Sequence, residues 1–556
     1  MGLSTRFGLP PFKSMGSAKK GALAISLASM LTLATPASSA IKQASEAQTF
    51  AGDLDPTFGS AGKVVSGLAG RSTFSRSIVI QPDAKIVVAG IAIVGADQNS
   101  RDFALARHNP DGMLDSSFGE GGFALIDFRG SGDELLAVTL QNDGKIVAVG
   151  LATTCCSLPL VDFAIARLNA DGTPDNSFGI DGKVSTDFAD SVDRAVAVQI
   201  QADGKILLVG RSDEKVAFAR YEPDGKLDSS FGTGGKTTEE FTSFTTSINA
   251  ATFQQDGKIV VVGKAGTDFV LARYNPDGSR DTGFGTSGVV STDLFGFDDI
   301  AKAVSIQPDG KIVVVGEALR NQITADFGVV RYQPDGRLDK KFGKRGKLGT
   351  DFAHGYDGAN AVAIDADGRI LAAGFAERGS DDFGLARYDS NGNLDAVFGT
   401  SGVVTTDVMQ RDDEATAIAL QPDSKIVVAG NARTPEGGTQ FGLVRYLAPA
   451  PDFQIALSQN SVSVNQGSNV SVKVLPQRLG GFQGNVRVTP PDGSAFGVKV
   501  KPSVPVSTTG ESVTFKLKAK SSAIPGIYPM VIVGIDDLLR VRVATLILVV
   551  HQAASN

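Results

Sequence analysis

The side chains best placed to do chemistry in this sequence are carboxylates, and they come in clusters. These are Asp127, Asp133 and Glu134; Asp187, Asp190 and Asp193; Glu239 and Glu240; Asp293, Asp298 and Asp299; Asp351 and Asp357; and Asp407, Asp412, Asp413 and Glu414. Clustered carboxylate oxygens hold hard cations such as Ca²⁺ and attract cationic ligands. One acid from each of five clusters, Asp127, Asp187, Asp293, Asp351 and Asp407, makes a candidate metal-binding ring. The competing reading is that each Asp caps its own turn through the backbone. Paired carboxylates also serve acid–base catalysis, as in a hydrolase or lyase.

Other chemistries are poorly served. The three histidines, His108, His354 and His551, lie in widely separated segments and make no His-based metal set. There is no G-x-S-x-G elbow, HExxH pair or phosphate-cradling loop, and no Trp to stack a sugar or quinone. The two cysteines, Cys155 and Cys156, are adjacent, which leaves a vicinal disulfide or a bond to another chain open and excludes a disulfide framework. No residue is assigned a catalytic role, and Ca²⁺ is the one cofactor the composition points to.

What positions the acids is a repeat. Phe-Gly pairs begin at Phe58, Phe118, Phe178, Phe231, Phe284, Phe342 and Phe398, spaced 60, 60, 53, 53, 58 and 56 residues apart. Each unit carries a stretch like Gln307-Pro308-Asp309-Gly310-Lys311-Ile312 and ends in one like Asp326-Phe327 through Arg331-Tyr332. From the Gly that closes the first stretch to the position that opens the second, 11, 11, 4, 4, 9 and 7 residues intervene; the rest of every unit is 49 residues long. All length variation sits in one loop. Repeat proteins put such insertions on one face, often the binding face.

Each unit holds four strand-like pieces, seen in the third as Lys183–Phe188, Ala195–Ile200, Lys205–Gly210 and Val216–Tyr221. Small and β-branched residues fill the second and third, which read as strands buried on both faces. Asp203-Gly204 supplies positive φ for the hairpin between them, and Gly257, Gly310 and Gly368 repeat it. At Ala84 and Ser424 that Gly is lost, so those hairpins need another turn or some strain. Four antiparallel strands, seven times over, predict an all-β seven-bladed β-propeller across residues 53–447. A β-helix or open solenoid accommodates four strands per unit poorly. The first complete element, Lys63–Ser66, is of the first type, and the last unit ends at Tyr446 on the fourth. The N-terminal piece is therefore expected to complete the seventh blade as its outermost strand, with the small-residue second strand lining the channel. Strand parity then puts the acid-rich loop and the variable loop on the same face. Arg107, Arg167, Arg220, Arg273, Arg331, Arg387 and Arg445, one per unit, are expected to pair with Asp and brace blade to blade.

The motif Leu114-Asp115 through Phe118-Gly119 to Gly122, the Gln307–Ile312 stretch, and Asp326-Phe327 through Arg331-Tyr332 to Pro334-Asp335-Gly336 resemble the delta-60 repeat family of exported bacterial proteins. The resemblance covers about residues 53–447 and recurs seven times. It implies a propeller and brings no established reaction. Lys215-Val216 and Gln440 depart from the Asp-Phe pattern, and His108 stands where Tyr is usual.

From Pro451 the repeat stops, and about eight short alternating stretches across residues 451–556 predict a β-sandwich. Ser461 through Gly467, Gly480-Gly481-Phe482 and Ile524-Pro525-Gly526-Ile527-Tyr528 resemble an immunoglobulin-like (Ig-like) module, which implies a spacer or adhesion role. At the other end, Arg6, Lys13, Lys19 and Lys20 precede an apolar run from Gly21 to about Pro36 and then Ser38-Ser39-Ala40. Residues 1–40 read as a signal peptide and 41–52 as a linker. The apolar run is short of the ~20 residues a membrane span needs, and no later segment qualifies. Cleavage removes four cations and takes the formal charge from −7 to −11, with +5 on residues 451–556 and −16 on 41–450. That balance argues against nucleic acid and anionic membrane surfaces as partners. The expected protein is an exported monomer without a transmembrane segment, extracellular, cell-surface or periplasmic, that binds a glycan, peptide or protein. A carboxylate-based hydrolase or lyase and a structural envelope protein are the alternatives. An enzyme gathers its unusual residues in one channel-facing pocket, whereas a binder spreads them over loop tips. The long loops at 91–101 and 151–161, in neighbouring units, follow the second pattern.

Overall fold

The computed structural model describes residues 51–94, 100–128, 132–153, 161–189, 191–241, 245–352, 354–447, 452–479, 485–510, 512–536 and 541–553. The expected signal peptide (1–40), most of the linker, and Cys155 and Cys156 lie outside the described residues.

After β1 (Lys63–Ser66) come β2 (Thr73–Ile80), β3 (Ile86–Ile93), β4 (Arg101–His108) and β5 (Phe123–Ile126). β2 to β5 pair antiparallel in chain order as blade I, and blades II to VI repeat that sheet from Glu134, Asp193, Thr245, Asp299 and Gly358. Blade VII takes Asp413–Leu420, Ile426–Arg433 and Thr439–Tyr446 from the end of the repeats and β1 from the beginning. In that pairing Lys63 stands opposite Val444 and Ser66 opposite Phe441. The innermost strands lie beside one another around the ring, the first beside the last. The chain is a seven-bladed β-propeller, closed in the phase that the repeat boundaries predict.

Each blade is sandwiched between two others, so its middle strands are covered on both faces. All of β3 except Ile93 is buried, and so is β4 beyond its first two residues. The innermost strand of blade I slips register between Ser75 and Ser77, and blades II to VII do the same at the matching place. The bulge presses the inner backbone onto Gly90, where a Cβ would lie 1.9 Å from the Phe74 carbonyl oxygen. Only Gly fits there.

Blades are held to one another at the corner between third and fourth strands. Arg107 Nε donates to Asp115 Oδ2 at 2.8 Å, the guanidinium lies 4.7 Å over the Phe118 ring, and Nη1 donates to the Ala170 carbonyl of blade II. Arg167 reaches Pro223 O at 2.5 Å, Arg331 reaches Ser390 O at 2.7 Å, and Arg445 of blade VII reaches Pro110 O of blade I. Beside them the Gly119 N–H donates to Asp171 O of the next blade at 2.8 Å. Burial opposes the Asp115 charge, but hydrogen bonds from Ser117 and Lys85 and the Arg107 charge hold its carboxyl below the usual range. Arg107, Arg167, Arg273, Arg331 and Arg445 are thus braces from blade to blade, and the Phe rings beneath them are buried.

A second inter-blade bond joins buried Tyr332 to Thr292 at 2.8 Å and Tyr446 to Thr406 at 2.8 Å. His108 occupies this slot in blade I, with Nε2 2.9 Å from Ser66 Oγ of β1. Burial lowers its pKa to about 4, so a neutral imidazole spans the closing seam.

Residues 452–551 form nine strands among the described residues, one more than the sequence predicts. One sheet runs Asp452–Leu457, Asn469–Leu479, Val513–Ala519, Val498–Lys501. The other runs Ser461–Asn465, Val541–His551, Gly526–Asp536, Val486–Thr489, Val506–Thr508. Val472 and Phe515 from the first share one core with Ile532 and Leu546 from the second.

Two stability measurements follow from this packing. Arg331 and Asp339 are 5% and 4% exposed with Nη2–Oδ2 at 2.9 Å. Arg331→Met leaves a buried carboxylate unpaired and is expected to cost about 3–5 kcal/mol in urea unfolding, with Arg331→Met/Asp339→Leu costing less than the two singles together. At the hairpin tip Ala84 has φ 64° and Ser424 φ 67°, where Gly204 has φ 83°. Replacing either by Gly relieves left-handed strain and is expected to stabilise by up to about 1 kcal/mol in thermal unfolding.

Candidate functional site

In each antiparallel blade the variable loop, between the second and third strands, and the crossover to the next blade emerge on the same face. The register of β4 with β5 pairs Phe103 with Ile126, which brings Asp102 beside Asp127. The crossover then delivers Asp133 at the start of blade II. Ligand oxygens of Asp102, Asp127 and Asp133 lie within 4.8 Å of one another, and those of Asp162, Asp187 and Asp193 do the same one blade on. Two ligands of one Ca²⁺ can be no farther apart than twice a bond of about 2.4 Å, so both clusters meet the spacing a single ion needs.

The innermost member of each cluster is buried and holds the crossover in shape. Asp133 Oδ2 accepts the Phe128 N–H at 2.8 Å, and Oδ1 accepts Thr153 N–H at 3.3 Å. Asp193, Asp299, Asp357 and Asp413 repeat the Oδ2 bond to the residue five places earlier. Burial pushes Asp133 up to about 7, and Asp127 and Asp102 add to it against those two N–H donors. Asp299 is raised to about 7 and Asp357 to about 6, again by burial first and then by neighbouring carboxylates. Asp102 rises to about 6 through burial and Asp127, with Arg71 opposing. These are groups that a cation would discharge.

The five ring residues expected from sequence therefore divide. Asp127 and Asp187 enter three-carboxylate clusters. Asp293 instead accepts the Gly296 N–H at 2.5 Å, Asp351 the His354 N–H, and Asp407 the Gln410 N–H. These three cap their own turns, the competing reading of the sequence, because an Asp three residues before a positive-φ position closes that turn. No continuous ring forms; the acids group by crossover. Asp102 and Asp162 were missed as site residues, although the recurring Asp-Phe pair that starts the third strand carried the signal.

Three of the other crossovers carry further or different groups. From blade V to VI, Arg320 Nε donates to Asp326 Oδ2 at 2.6 Å, and its guanidinium sits 3.5 Å over Phe295. From III to IV, Lys215 replaces the Asp and pairs with Glu240 at 3.4 Å. From VII to I, Gln440 accepts from Thr73 at 3.4 Å and donates to Arg71 O at 2.9 Å, a neutral substitute. The two fully assembled clusters are thus those at the base of the two eleven-residue loops, which end at Asp102 and Asp162. Residues 95–99 and 154–160 of those loops lie outside the described residues. Among the described residues no helix is long and apolar enough to cross a membrane.

The family model of a domain of unknown function, the DUF5122 beta-propeller, matches residues 81–118, 141–178, 201–231, 254–284, 307–342, 366–398 and 421–448, one segment in each unit. No curated protein matches the chain. Among solved structures it is similar to a PL25 ulvan lyase bound to -[GlcA(1-4)Rha3S]-, at 13% identity and TM-score 0.37 over 69% of this chain and 96% of that one. It is also similar to a glucose dehydrogenase, at 10% identity and TM-score 0.35 over 69% and 99%. Prolyl oligopeptidase B from Galerina marginata gives 12% and 0.34 over 65% and 47%. At TM-scores under 0.5 these likenesses carry no argument about activity. The chain is a propeller repeat protein of seven units.

The raised carboxyls make the stability of the metal-free protein depend on pH. Eight Asp residues on this face, 102, 133, 193, 299, 357, 381, 382 and 413, titrate above their ordinary value. Between about pH 4 and 7 the folded state holds more protons than the unfolded one at these groups, so stability falls as pH rises. His108, lowered to about 4, acts in the opposite sense, but it is one group against eight. The unfolding temperature in EDTA is expected to fall from pH 5 to pH 7.5. Asp133→Asn and Asp299→Asn each flatten that slope.

Proposed function

We propose that this chain is an exported binding protein, secreted or held at the cell surface, that takes a glycan, peptide or protein on the variable-loop face of its propeller, with Ca²⁺ at two sites beneath. The observation that carries the reading is a coincidence of place. The two longest variable loops end at Asp102 and Asp162, each a member of one of the two three-carboxylate clusters found among the described residues. Asp102, Asp127 and Asp133 would hold one ion; Asp162, Asp187 and Asp193 the other. Hard oxygen ligands suit Ca²⁺, and an ion there would rigidify the stem of each long loop. Export rests on the sequence of residues 1–40. The ring over 53–447 and the tail over 451–556 are taken as separate domains, the tail an Ig-like spacer or attachment module.

Thermal unfolding of the mature protein in EDTA, then with Ca²⁺ titrated back, tests this. Binding to the native state alone is expected to add about 2.7 kcal/mol at a hundredfold excess over Kd, a rise of several degrees. The rise should saturate and be lost in Asp127→Asn/Asp187→Asn. A curve that Ca²⁺ does not move removes the metal from the reading.

A further inference from the structure

Blade III departs from its neighbours at one pair of residues. Arg194 on its innermost strand stands directly opposite Arg211 on the next strand. Directly opposed residues of an antiparallel pair share a face, and like charges there destabilise the sheet. The same register holds Glu134 with Leu151 in blade II, Ser247 with Lys264 in blade IV and Ile300 with Glu317 in blade V, each with one charge.

Among the described residues only Asp213 offsets the opposition. Among the described residues neither guanidinium forms an ion pair, and Arg194 Nε is buried with no hydrogen-bond partner. Burial, and after it the Arg194 charge, lowers the Arg211 pKa, with Asp213 opposing. Three acids stand nearby. Asp213 accepts the Val192 N–H at 3.2 Å, Glu240 faces Lys215 at 3.4 Å, and Glu214 is exposed. Arg211 lines a cleft of about 1040 Å³ together with Lys215, these three acids, Thr238 and Ser247. The variable loop of blade III beside it has the shortest length, four residues between Gly210 and Lys215, which blade IV shares. Lys215 is itself a departure from the repeat, standing where most blades carry Asp.

The geometry points to an oxyanion site: Arg194 and Arg211 clamp a carboxylate, sulfate or phosphate group of the ligand where Arg211 meets this cleft. Two guanidiniums present planar forks that match an oxyanion, and an anion between them converts a repulsive pair into two charge-assisted contacts. The inference rests on the reading that this face binds a ligand, and it makes that ligand anionic, which the carboxylate clusters alone would not predict.

The test uses the mature protein in EDTA, so that the metal reading plays no part. Sodium sulfate, phosphate or acetate is titrated against chloride at matched ionic strength while thermal unfolding is followed. Wild type is expected to show a saturable rise with at least one anion. Its midpoint should weaken at least tenfold in Arg211→Leu and in Arg194→Ser, which place the residues of blades II and IV at those positions. In chloride alone both variants should unfold at or above the wild-type temperature, because the opposition is gone. Anion curves that are the same in wild type and both variants overturn the proposal. So does a variant that unfolds well below wild type in chloride, since the pair would then be holding the blade together. The tightest of the three anions names the group: a sulfate ester, a phosphoester, or a uronate or peptide carboxylate.

Discussion

Four residue pairs, from Lys63 opposite Val444 to Ser66 opposite Phe441, turn a row of seven sheets into a ring. Everything else depends on that closure. An open row would leave the apolar faces of its two end blades exposed, and the arginine braces would stop one blade short. With β1 in place the braces cross the seam as well: Arg445 reaches Pro110, as Arg107 reaches Ala170. The seam is reinforced by His108 against Ser66, where other blades use Tyr against Thr.

The ring divides labour between its two ends. One carries the short hairpins and the Arg–Asp–Phe corners, whose charges are paired inside the structure and whose lengths never vary. The other carries every length change, the raised carboxylates and the opposed arginines. Burial opposes the carboxylate charge at both ends, but with opposite outcomes. At the corner Asp115 has hydrogen-bonded cationic partners and stays ionised. At the crossover Asp133 has backbone N–H donors and like-charged neighbours, and it resists ionisation. Unrelieved charge is therefore concentrated where the sequence is free to vary.

The fold was legible because its signals are local and repeated: an Asp-Gly hairpin, an Arg eight residues before its Asp, a first unit that begins with the strand the last unit lacks. The carboxylate face was half legible. An Asp that caps a turn and an Asp placed to ligate an ion look alike in sequence, and Asp293, Asp351 and Asp407 accept backbone N–H groups of their own turns. The partnership of Asp102 with Asp127 depends on a strand pairing that joins residues far apart in the unit. The opposition of Arg194 and Arg211 depends on register, counted from the hairpin through a bulge; a one-residue slip would have separated them. Such juxtapositions become visible only once the pairing is known.

The clasp has a consequence in time. Its halves lie nearly 380 residues apart in the chain, so the last bond of the ring waits until the final repeat has emerged. Until then the chain is a set of incomplete blades with two free ends, and contacts over so long a span form slowly. The same architecture makes the half-finished ring vulnerable, since the unpaired edge of Thr439–Tyr446 offers its strand to any other chain until β1 claims it.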